Sequence, residues 1–433
     1  MTQGFYTGIT GLTAYQTAID VTADNIANVN TVGFRSTVAE FGDLLEEKIV
    51  SGSNTGPTDN QVGIGTRINA TTMNTAQGIF ERTNKATDLA IAGEGWFGIQ
   101  DPVGTYFTRA GDFIFDGSRN MVTNDGMSVL GTVGNNFTLD GEGNWAISEL
   151  KNSTAFTEPG AQVPLNFPKD MSVPPQATSY GEFFGNIGFP PTDVPASQVV
   201  RTVGSTIVDG EGNENGLFLT FTLSDTQPAT GISWNVNAKI VPQGADKDSG
   251  IVYDTQDAVL LFDETGGLTE NPLRDMDNNG VNTVVDIGQG LVGIRSTGPE
   301  TSLSSKSDGI VGGDLVGYAV ADDGNMMASF SNGVTTSVGR LAVYHFQNEQ
   351  GLERVGASKY QRSSDSGDAV FWKDASGEYM TGTHIYNNKL ETSNVNLTES
   401  MTNLIIMQKA YSANSKLITT GDEMIKKALE MKR

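Results

Sequence analysis

The chain has 433 residues, with 27 Lys and Arg against 51 Asp and Glu, a formal net charge of −24, no Cys and 2 His. Without Cys there can be no disulfide, thiolate metal site or Cys nucleophile, and two His leave little room for His-based catalysis. The acidic balance disfavours a nucleic-acid partner, and no apolar run approaches the roughly 20 residues needed to cross a bilayer. We therefore expect a non-enzymatic protein with no cofactor, no nucleic-acid partner and no membrane insertion.

The first predicted element is an N-terminal helix over residues 4–28. Its charges are limited to Asp20 and Asp24, whereas a helix that stands free in solvent usually carries a mixture of Lys and Glu. Apolar residues recur along it in steps of three and four, which predicts an amphipathic helix with neighbours on several sides. The apolar stripe consists of Phe5, Ile9, Leu12, Ile19 and Ile26.

Residues 51–65 are rich in Gly, Ser, Asn and Thr, a composition typical of loops. We expect this stretch to be an extended connector.

The middle of the chain changes to a period of two. Apolar residues alternate with polar ones at 217–224 and again at 232–240, which predicts half-buried antiparallel strands. Asp-Gly pairs begin at residues 116, 140, 209 and 323, and such pairs favour tight turns between strands. The sequence thus predicts a mixed α+β fold, with β-rich domains of antiparallel strands between helical ends.

The last predicted element is a helix over residues 397–431, whose apolar positions follow a near-strict alternation of four and three. At 1.5 Å per residue the two terminal helices would be roughly 40 Å and 50 Å long. No attached sheet is predicted to cover either apolar stripe, so we expect the helices to form a coiled-coil-like domain with each other or with other copies. The C-terminal stripe consists of Leu397, Met401, Leu404, Tyr411, Ile418, Ile425 and Leu429.

One segment has the spacing of a calcium-binding loop. In residues 275–286, oxygen-bearing side chains occupy positions 1, 3, 5 and 12 of an EF-hand-type loop, at Asp275, Asp277, Asn279 and Asp286. Position 12 is Asp rather than the longer, bidentate Glu, and the β-branched residues that follow Asn279 disfavour flanking helices. An acidic turn between strands is the favoured interpretation, and a calcium site is the alternative.

The two ends of the chain together resemble the flagellar rod and hook family of axial proteins. The resemblance is carried by NIANVNTVGFR at residues 25–35 and by the long segment LETSNVNLTESMTNLIIMQKAYSANSKLITTGDEM at residues 390–424. Shorter pieces agree, among them DLAIAG at 88–93 and YFTRAG at 106–111. Within the family, the large insertion in the middle of the chain resembles hook subunits more than the shorter rod subunits.

The resemblance implies a specific domain organisation. Residues 1–28 and 396–433 would form the helical inner-tube domain, and 29–75 with 382–395 the connector. Residues 76–150 and 300–381 would form an inner β-domain, and 151–299 an outer β-domain inserted into it.

The function implied is that of a structural subunit which polymerises into the curved tube of the hook and transmits torque from rod to filament. The implied partners are other copies of the chain, the distal rod, hook cap and hook–filament junction proteins, and the flagellar type III export apparatus. The implied location is the extracellular hook, reached without a cleaved signal peptide. Two alternatives stay open: a distal rod protein, or a secreted β-rich binding protein that oligomerises through its helices.

Overall fold

The computed structural model describes residues 2–44, 46–48, 61–139, 143–191, 194–245 and 250–431. It is a mixed α+β protein, as the sequence predicts, with helix α1 at Thr2–Ala27 and helix α2 at Leu397–Glu430. The Asn396 side chain accepts a hydrogen bond from the Glu399 N–H (3.3 Å) and so caps the start of α2. Neither helix is long and apolar enough to span a membrane within the described residues.

A long antiparallel hairpin follows α1. Its strands are β1 (Thr37–Asp43), β2 (Glu46–Lys48), β3 (Gln61–Gly63) and β4 (Thr66–Met73), with β1 paired to β4 and β2 paired to β3. The hairpin packs along α1, where the Thr7 hydroxyl donates to the Ile64 carbonyl (3.3 Å). The predicted connector 29–75 therefore contains paired strands rather than only extended chain, although residues 45 and 49–60 lie outside the described residues.

The body of the protein is strand-rich and comes from two stretches of the chain. The first stretch contains β5 (Phe80–Arg82), β6 (Leu89–Ala92), β7 (Trp96–Gln100), β8 (Thr105–Thr108), β9 (Ile114–Phe115), β10 (Met121–Val122), β11 (Ser128–Val133), β12 (Phe137–Leu139), β13 (Trp145–Ile147), β14 (Val163–Pro164) and β15 (Met171–Val173).

The described residues of the insertion between the two stretches contain ten strands and a short 3-10 helix at Ala196–Gln198. The strands are β16 (Tyr180–Asn186), β17 (Val200–Val208), β18 (Glu214–Leu223), β19 (Ile232–Val241), β20 (Asp254–Phe262), β21 (Met276–Asn278), β22 (Val281–Asp286), β23 (Gly288–Gln289), β24 (Val292–Arg295) and β25 (Ser302–Ser307).

The second stretch of the body also has ten strands and a 3-10 helix at Glu349–Gly351. Its strands are β26 (Gly313–Val320), β27 (Asn325–Phe330), β28 (Thr335–Leu341), β29 (Val343–Tyr344), β30 (Glu353–Gly356), β31 (Lys359–Gln361), β32 (Trp372–Lys373), β33 (Tyr379–Met380), β34 (His384–Asn387) and β35 (Lys389–Glu391).

Most strands of the two body stretches form one large sheet. Within the described residues it runs β12-β13-β15-β26-β27-β28-β11-β7-β8-β31-β30, with β9, β10, β14 and β29 attached at its sides. Its buried core mixes residues from both stretches, among them Phe97, Phe113 and Val338. A second buried cluster is aromatic and includes Trp96 and Tyr344. The body therefore folds only when residues more than 200 positions apart come together.

The insertion forms a separate outer unit, which we define as residues 180–307. A four-stranded antiparallel sheet, β17-β18-β19-β20, packs on a sheet built around β16, and their inner faces share one hydrophobic core. In β18 the buried apolar side chains are Leu217, Leu219 and Phe221, with half-buried residues between them. The predicted period of two is confirmed there and in β19.

The boundary of the outer unit differs from the predicted 151–299. Strands β14 and β15 pair with β11, β13 and β26 of the body, and Leu165, Phe167 and Met171 fill the body core. Strand β25, which lies beyond residue 299, pairs with β16 of the outer unit. The chain therefore crosses between body and outer unit near residues 174–179 and 308–312.

Candidate assembly surface

The two terminal helices run antiparallel and meet through small residues of α1. The Thr22 hydroxyl lies 3.5 Å from the Met407 sulfur, and a Cβ added to Gly11 would lie 2.9 Å from the Asn414 side chain. The residues that α1 buries on its inner faces include Gly8, Gly11, Ala14, Ala18 and Thr22, spaced three or four apart. Small side chains at this spacing let two helix backbones approach closely.

None of the residues of the predicted apolar stripe of α1 is buried within one chain. Phe5, Leu12, Ile19 and Ile26 are half-buried, and Ile9 is exposed. The closest approach to α2 is instead made by the small residues that lie beside the stripe. The spacing of these Gly, Ala and Thr residues is visible in the sequence, but a search for large apolar residues does not detect it.

The predicted stripe of α2 is only partly covered within one chain. Leu404, Tyr411 and Ile418 are half-buried, and none of the residues of α2 is buried. The other four predicted positions, Leu397, Met401, Ile425 and Leu429, are exposed.

Further apolar side chains of α2 are exposed outside the predicted stripe. They are Ile405, Ile406, Leu417 and Met424, each more than half exposed. Several large apolar side chains exposed on one helix mark it as a candidate site of protein interaction. The geometry thus leaves α2 with one side against α1 and the rest of its apolar surface uncovered.

The helices are joined to the body by a buried ionic cluster, which we name the junction cluster: Arg35, Arg109 and Glu391. Nη1 of Arg35 lies 2.8 Å from Oε1 of Glu391, and Nη1 of Arg109 lies 3.5 Å from Oε2. The Gly78 N–H also donates to Oε1 of Glu391 (2.8 Å). The three charged side chains come from the segment after α1, from the body and from the segment before α2.

The junction cluster places the Glu391 side chain between two guanidinium groups. Burial and, after it, the positive charge of Arg35 lower the pKa of Arg109 to about 10, whereas the negative charge of Glu391 opposes the shift. Nη2 of Arg109 also donates to the Gly93 carbonyl (2.6 Å). Removing the one carboxylate would leave two cations facing each other in a buried site.

Amide side chains extend this junction. Oδ1 of Asn394 accepts from the Ser36 N–H (2.7 Å), and its Nδ2 donates to the carbonyls of Asn74 and Ala76, both at 2.8 Å. Asn25, which is buried at the end of α1, makes a two-way pair with the backbone of Thr37. The sequence motifs at both ends contain these residues, but their long-range partners could not be read from spacing.

Gly33 is required where the chain leaves α1. Its φ is +64°, and a Cβ there would lie 2.4 Å from the backbone N of Ala110. The Gly33 N–H donates to the Glu391 carbonyl (2.8 Å), so the backbone itself closes the junction. A larger residue would separate α1 from the body at this point.

The structure does not bring the four predicted calcium ligands together. Residues 276–286 form the β21–β22 hairpin, with Asn279 and Gly280 in its tight turn. Asp286 lies at the far end of β22, where it accepts a hydrogen bond from the Tyr180 hydroxyl. Asp277 accepts from the Gly280 N–H (2.7 Å), and Asp275 accepts from the Asn282 amide (2.9 Å). The described residues contain no group of three or more His, Cys, Asp or Glu that could hold a metal ion.

Asn279 instead donates a hydrogen bond to the buried carboxylate of Asp209, which lies in a neighbouring turn. Its Nδ2 donates to Asp209 (2.9 Å), which also accepts from the Asn213 and Glu211 N–H groups. Burial opposes ionisation of this carboxyl, but these hydrogen bonds outweigh it and lower the pKa of Asp209 to about 2. The acidic segment therefore has a structural role within the outer unit, as the favoured interpretation expects.

Both ends of the chain and part of the body match known family models. Residues 5–35 match the model described as "Flagella basal body rod protein", and residues 387–431 match "Flagellar basal body rod FlgEFG protein C-terminal". Residues 90–180 match "Flagellar hook protein FlgE/F/G D1 domain". These segments contain α1, α2, the junction cluster and the first part of the body.

Similarity to individual proteins extends over the whole chain. The flagellar hook protein FlgE of Borreliella burgdorferi is 27% identical, with 100% of each chain covered. FlgE of Escherichia coli (strain K12) is 25% identical over 97% of this chain and 98% of the relative. A crystal structure of Helicobacter pylori flagellar hook protein FlgE2 has a similar fold, with a TM-score of 0.52, 16% identity, and coverage of 72% of this chain and 100% of that one.

The chain resembles flagellar rod and hook proteins: the three matching models describe such proteins and cover both ends of the chain and part of the body. The two relatives described above, which match it nearly from end to end, are hook proteins.

Proposed function

We propose that the chain is the structural subunit of the bacterial flagellar hook, a curved tubular polymer that acts as a universal joint between rod and filament. The observation that carries the proposal is the uncovered apolar surface of α2 in a chain that matches hook proteins along its full length. A single copy cannot bury this surface. A polymer of many copies can.

The contacts between copies are heterologous, since α1 and α2 present different surfaces. Heterologous contacts that do not close generate a helical tube rather than a ring. In this tube the two helices form a coiled-coil-like inner wall, and neighbouring copies cover Ile9, Leu397, Met401, Ile425 and Leu429. Each buried apolar Å² contributes roughly 25 cal/mol, so the wall resists twisting and separation.

The β-rich body and the outer unit surround this wall. Residues 29–75 and 382–395 connect the helices to the body, and the junction cluster fixes that connection. Acidic outer surfaces make wetter and weaker contacts, which can slide as the tube bends. The result is a joint that is stiff in torsion and soft in bending.

The proposal includes the partners that the family resemblance implies. They are the distal rod at one end of the hook, the hook cap during growth, the hook–filament junction proteins at the other end, and the flagellar type III export apparatus. Export through that apparatus would place the chain outside the cell without a cleaved signal peptide. The proposal assigns no catalytic residue and no cofactor.

The test uses the fact that the chain has no Cys. Ala229 is exposed in the outer unit, so Ala229→Cys introduces a unique thiol that maleimide-gold can label. The variant would replace the chromosomal copy in the source bacterium, and isolated basal structures would be viewed by electron microscopy. The unsubstituted protein, which has no thiol, is the control.

Gold along the curved segment between rod and filament is the expected result. Gold restricted to the straight rod would overturn the hook proposal and assign the chain to the rod. Thiol-specific gold that is absent from every flagellar part, while the variant is present in the cells and motility is normal, would exclude both axial roles. The binding-protein alternative would then be the one to pursue.

A further inference from the structure

The central parts of the terminal helices carry charges of opposite sign. On α1 the charged residues are Asp20 and Asp24, and Asp24 is bound by Arg354, with an Oδ2–Nη1 distance of 3.0 Å. On α2, between residues 400 and 421, the charged residues are Lys409 and Lys416. The remaining exposed positions near them are uncharged. One helix is thus locally acidic and the other locally basic.

Asp20 lies on the side of α1 that faces away from α2. It is two residues from both Ala18 and Thr22, which are buried, and Thr22 contacts α2 directly. At about 100° per residue, a separation of two places Asp20 roughly 200° around the helix from each of them. Asp20 is exposed, and Gln16 is the residue that donates to it (3.1 Å).

The two lysines lie on the side of α2 that faces away from α1. Lys409 is two residues from Met407, which contacts Thr22, and two from the half-buried Tyr411. Lys416 is likewise two residues from Asn414 and two from Ile418. These two residues approach Gly11 and Gly8 of α1. Both lysines are exposed, so within one chain neither can reach Asp20.

None of these three charges has an ion-pair partner among the described residues. Elsewhere on α2, the exposed Lys426 does have an ion-pair partner, Asp422, one turn away (2.7 Å). Asp20 and the pair of lysines therefore occupy opposite outer sides of a helix pair and have opposite signs. A second copy placed beside the first would bring one side against the other.

We propose that Asp20 of each copy forms an ion pair with Lys409 or Lys416 of the adjacent copy, so that α1 of one subunit is joined to α2 of the next. This inference rests on the proposed function, since it requires a polymer of identical chains. It adds a polar contact that sets the alignment of neighbours along the tube, which the apolar surface alone does not specify. Charges set register in helical assemblies in this way.

The choice between the two lysines corresponds to an axial offset. Because the helices are antiparallel and Thr22 meets Met407, Asp20 lies level with Lys409 in its own chain. Pairing with Lys409 therefore needs neighbours at nearly the same height. Pairing with Lys416, seven residues further along, needs an offset of about 10 Å.

The experiment measures the critical concentration for polymerisation of the purified full-length chain by sedimentation, with electron microscopy of the pellet. The variants are Asp20→Lys, Lys409→Asp and Lys416→Asp, together with the two doubles that combine Asp20→Lys with each lysine change. Arg362→Asp is the matched control, because Arg362 is an exposed charge that pairs with Asp368 inside the body. Circular dichroism of each monomer checks the fold.

Asp20→Lys is expected to raise the critical concentration about fivefold, because a pair worth roughly 0.5 kcal/mol becomes a repulsion of similar size. One double variant should restore the original value, and the lysine that restores it reports the offset. Single variants that polymerise like Arg362→Asp, or doubles that both fail to recover, would overturn the inference. Failure of the unsubstituted chain to polymerise under any condition would instead contradict the proposed function.

Discussion

Arg35 and Glu391 are 356 residues apart in the sequence, yet they form a buried ion pair with an Nη1–Oε1 distance of 2.8 Å. The pair lies just after α1 and just before α2, so it ties both helices to one point of the body. Arg109 completes the cluster from the body side. The direction in which the helix pair leaves the body is therefore set by charged groups that have little contact with solvent.

Glu391→Gln should lower the free energy of unfolding by about 3–5 kcal/mol, because two buried guanidinium groups lose their counter-charge. Urea denaturation of the monomer, followed by tryptophan fluorescence, measures the change. Asp368→Asn is the control, since it removes an exposed pair with Arg362 and should cost less than about 1 kcal/mol. Equal effects of the two substitutions would contradict the importance of the buried cluster.

Gly11→Leu should separate the helices, because an added side chain would collide with Asn414 of α2. We expect a loss of about 1–3 kcal/mol in helix pairing and a loss of polymerisation. Gly4→Leu is the matched control: Gly4 is exposed and has open space around its Cβ position, so helix propensity alone should change there. Thermal melting of the helical circular dichroism signal of both variants tests this, and a normal polymer from Gly11→Leu would refute it.

His345 should make the body sensitive to mild acid. Burial lowers the pKa of its imidazole below the ordinary 6.5, and nearby Arg109 acts in the same direction, whereas the Thr381 carbonyl and Glu94 oppose the shift. The unfolded chain therefore binds the proton more readily than the folded one. The contribution of His345 to stability is complete above about pH 6.5 and is lost as the pH falls below that value.

The measurement is the free energy of unfolding at intervals between pH 7.5 and pH 5. His345→Asn should flatten this dependence relative to the unsubstituted protein. If the pH dependence of His345→Asn matched that of the unsubstituted protein, the assignment would be wrong.

Asp209 should stabilise the outer unit at all but strongly acidic pH. Its folded-state pKa is about 2, below the ordinary 3.8, so its contribution is present above about pH 4 and disappears as the pH falls toward 2. Asp209→Asn should cost about 1–3 kcal/mol at pH 7, since amide donors of Asn213 and Asn279 would lose a charged acceptor.

Asp374→Asn is the comparison for Asp209. Asp374 caps a similar turn by accepting from the Ser376 and Glu378 N–H groups, but it is exposed. Its replacement should have the smaller effect in urea denaturation at pH 7. The reverse order would show that burial of Asp209 does not matter.

Amide hydrogen exchange should distinguish the helices of the monomer from those of the polymer. Helix α2 has no buried residue in a single chain, so its stability comes from one contact with α1 and from its own backbone. We expect fast exchange along α2 in the monomer and strong protection after assembly, with β18 and β19 protected in both states. Strong protection of α2 in the monomer would contradict assembly-dependent burial.

The sequence predicts those elements whose period is regular. Alternation at Leu217, Leu219 and Phe221 places a strand and its buried face correctly, and the four-three spacing predicts both terminal helices to within a few residues. These patterns are local, because the apolar residues on one face of an element recur at a fixed spacing along the chain. Both could be recognised without knowledge of any partner.

Other features depend on contacts between distant residues and could not be predicted. The boundary of the outer unit moved because Leu165 and Phe167 belong to the core of the body, which is completed only by strands from beyond residue 312. The junction cluster joins residues separated by hundreds of positions. The contact face of α1 was missed for a different reason: the backbone approach depends on small residues, whereas hydrophobic periodicity weights large ones.

The incoming and outgoing segments of the outer unit lie side by side. Gln176 and Ile310 are joined by a backbone bridge, and Asp308 accepts from the N–H groups of Ser179 and Tyr180, both at 3.0 Å. A tensile load that enters the body on one segment can therefore leave on the other without stretching the 128 residues between 180 and 307. In mechanical terms the outer unit is a side branch and not a link in series, so a change in its length or shape would leave the load-carrying path unchanged.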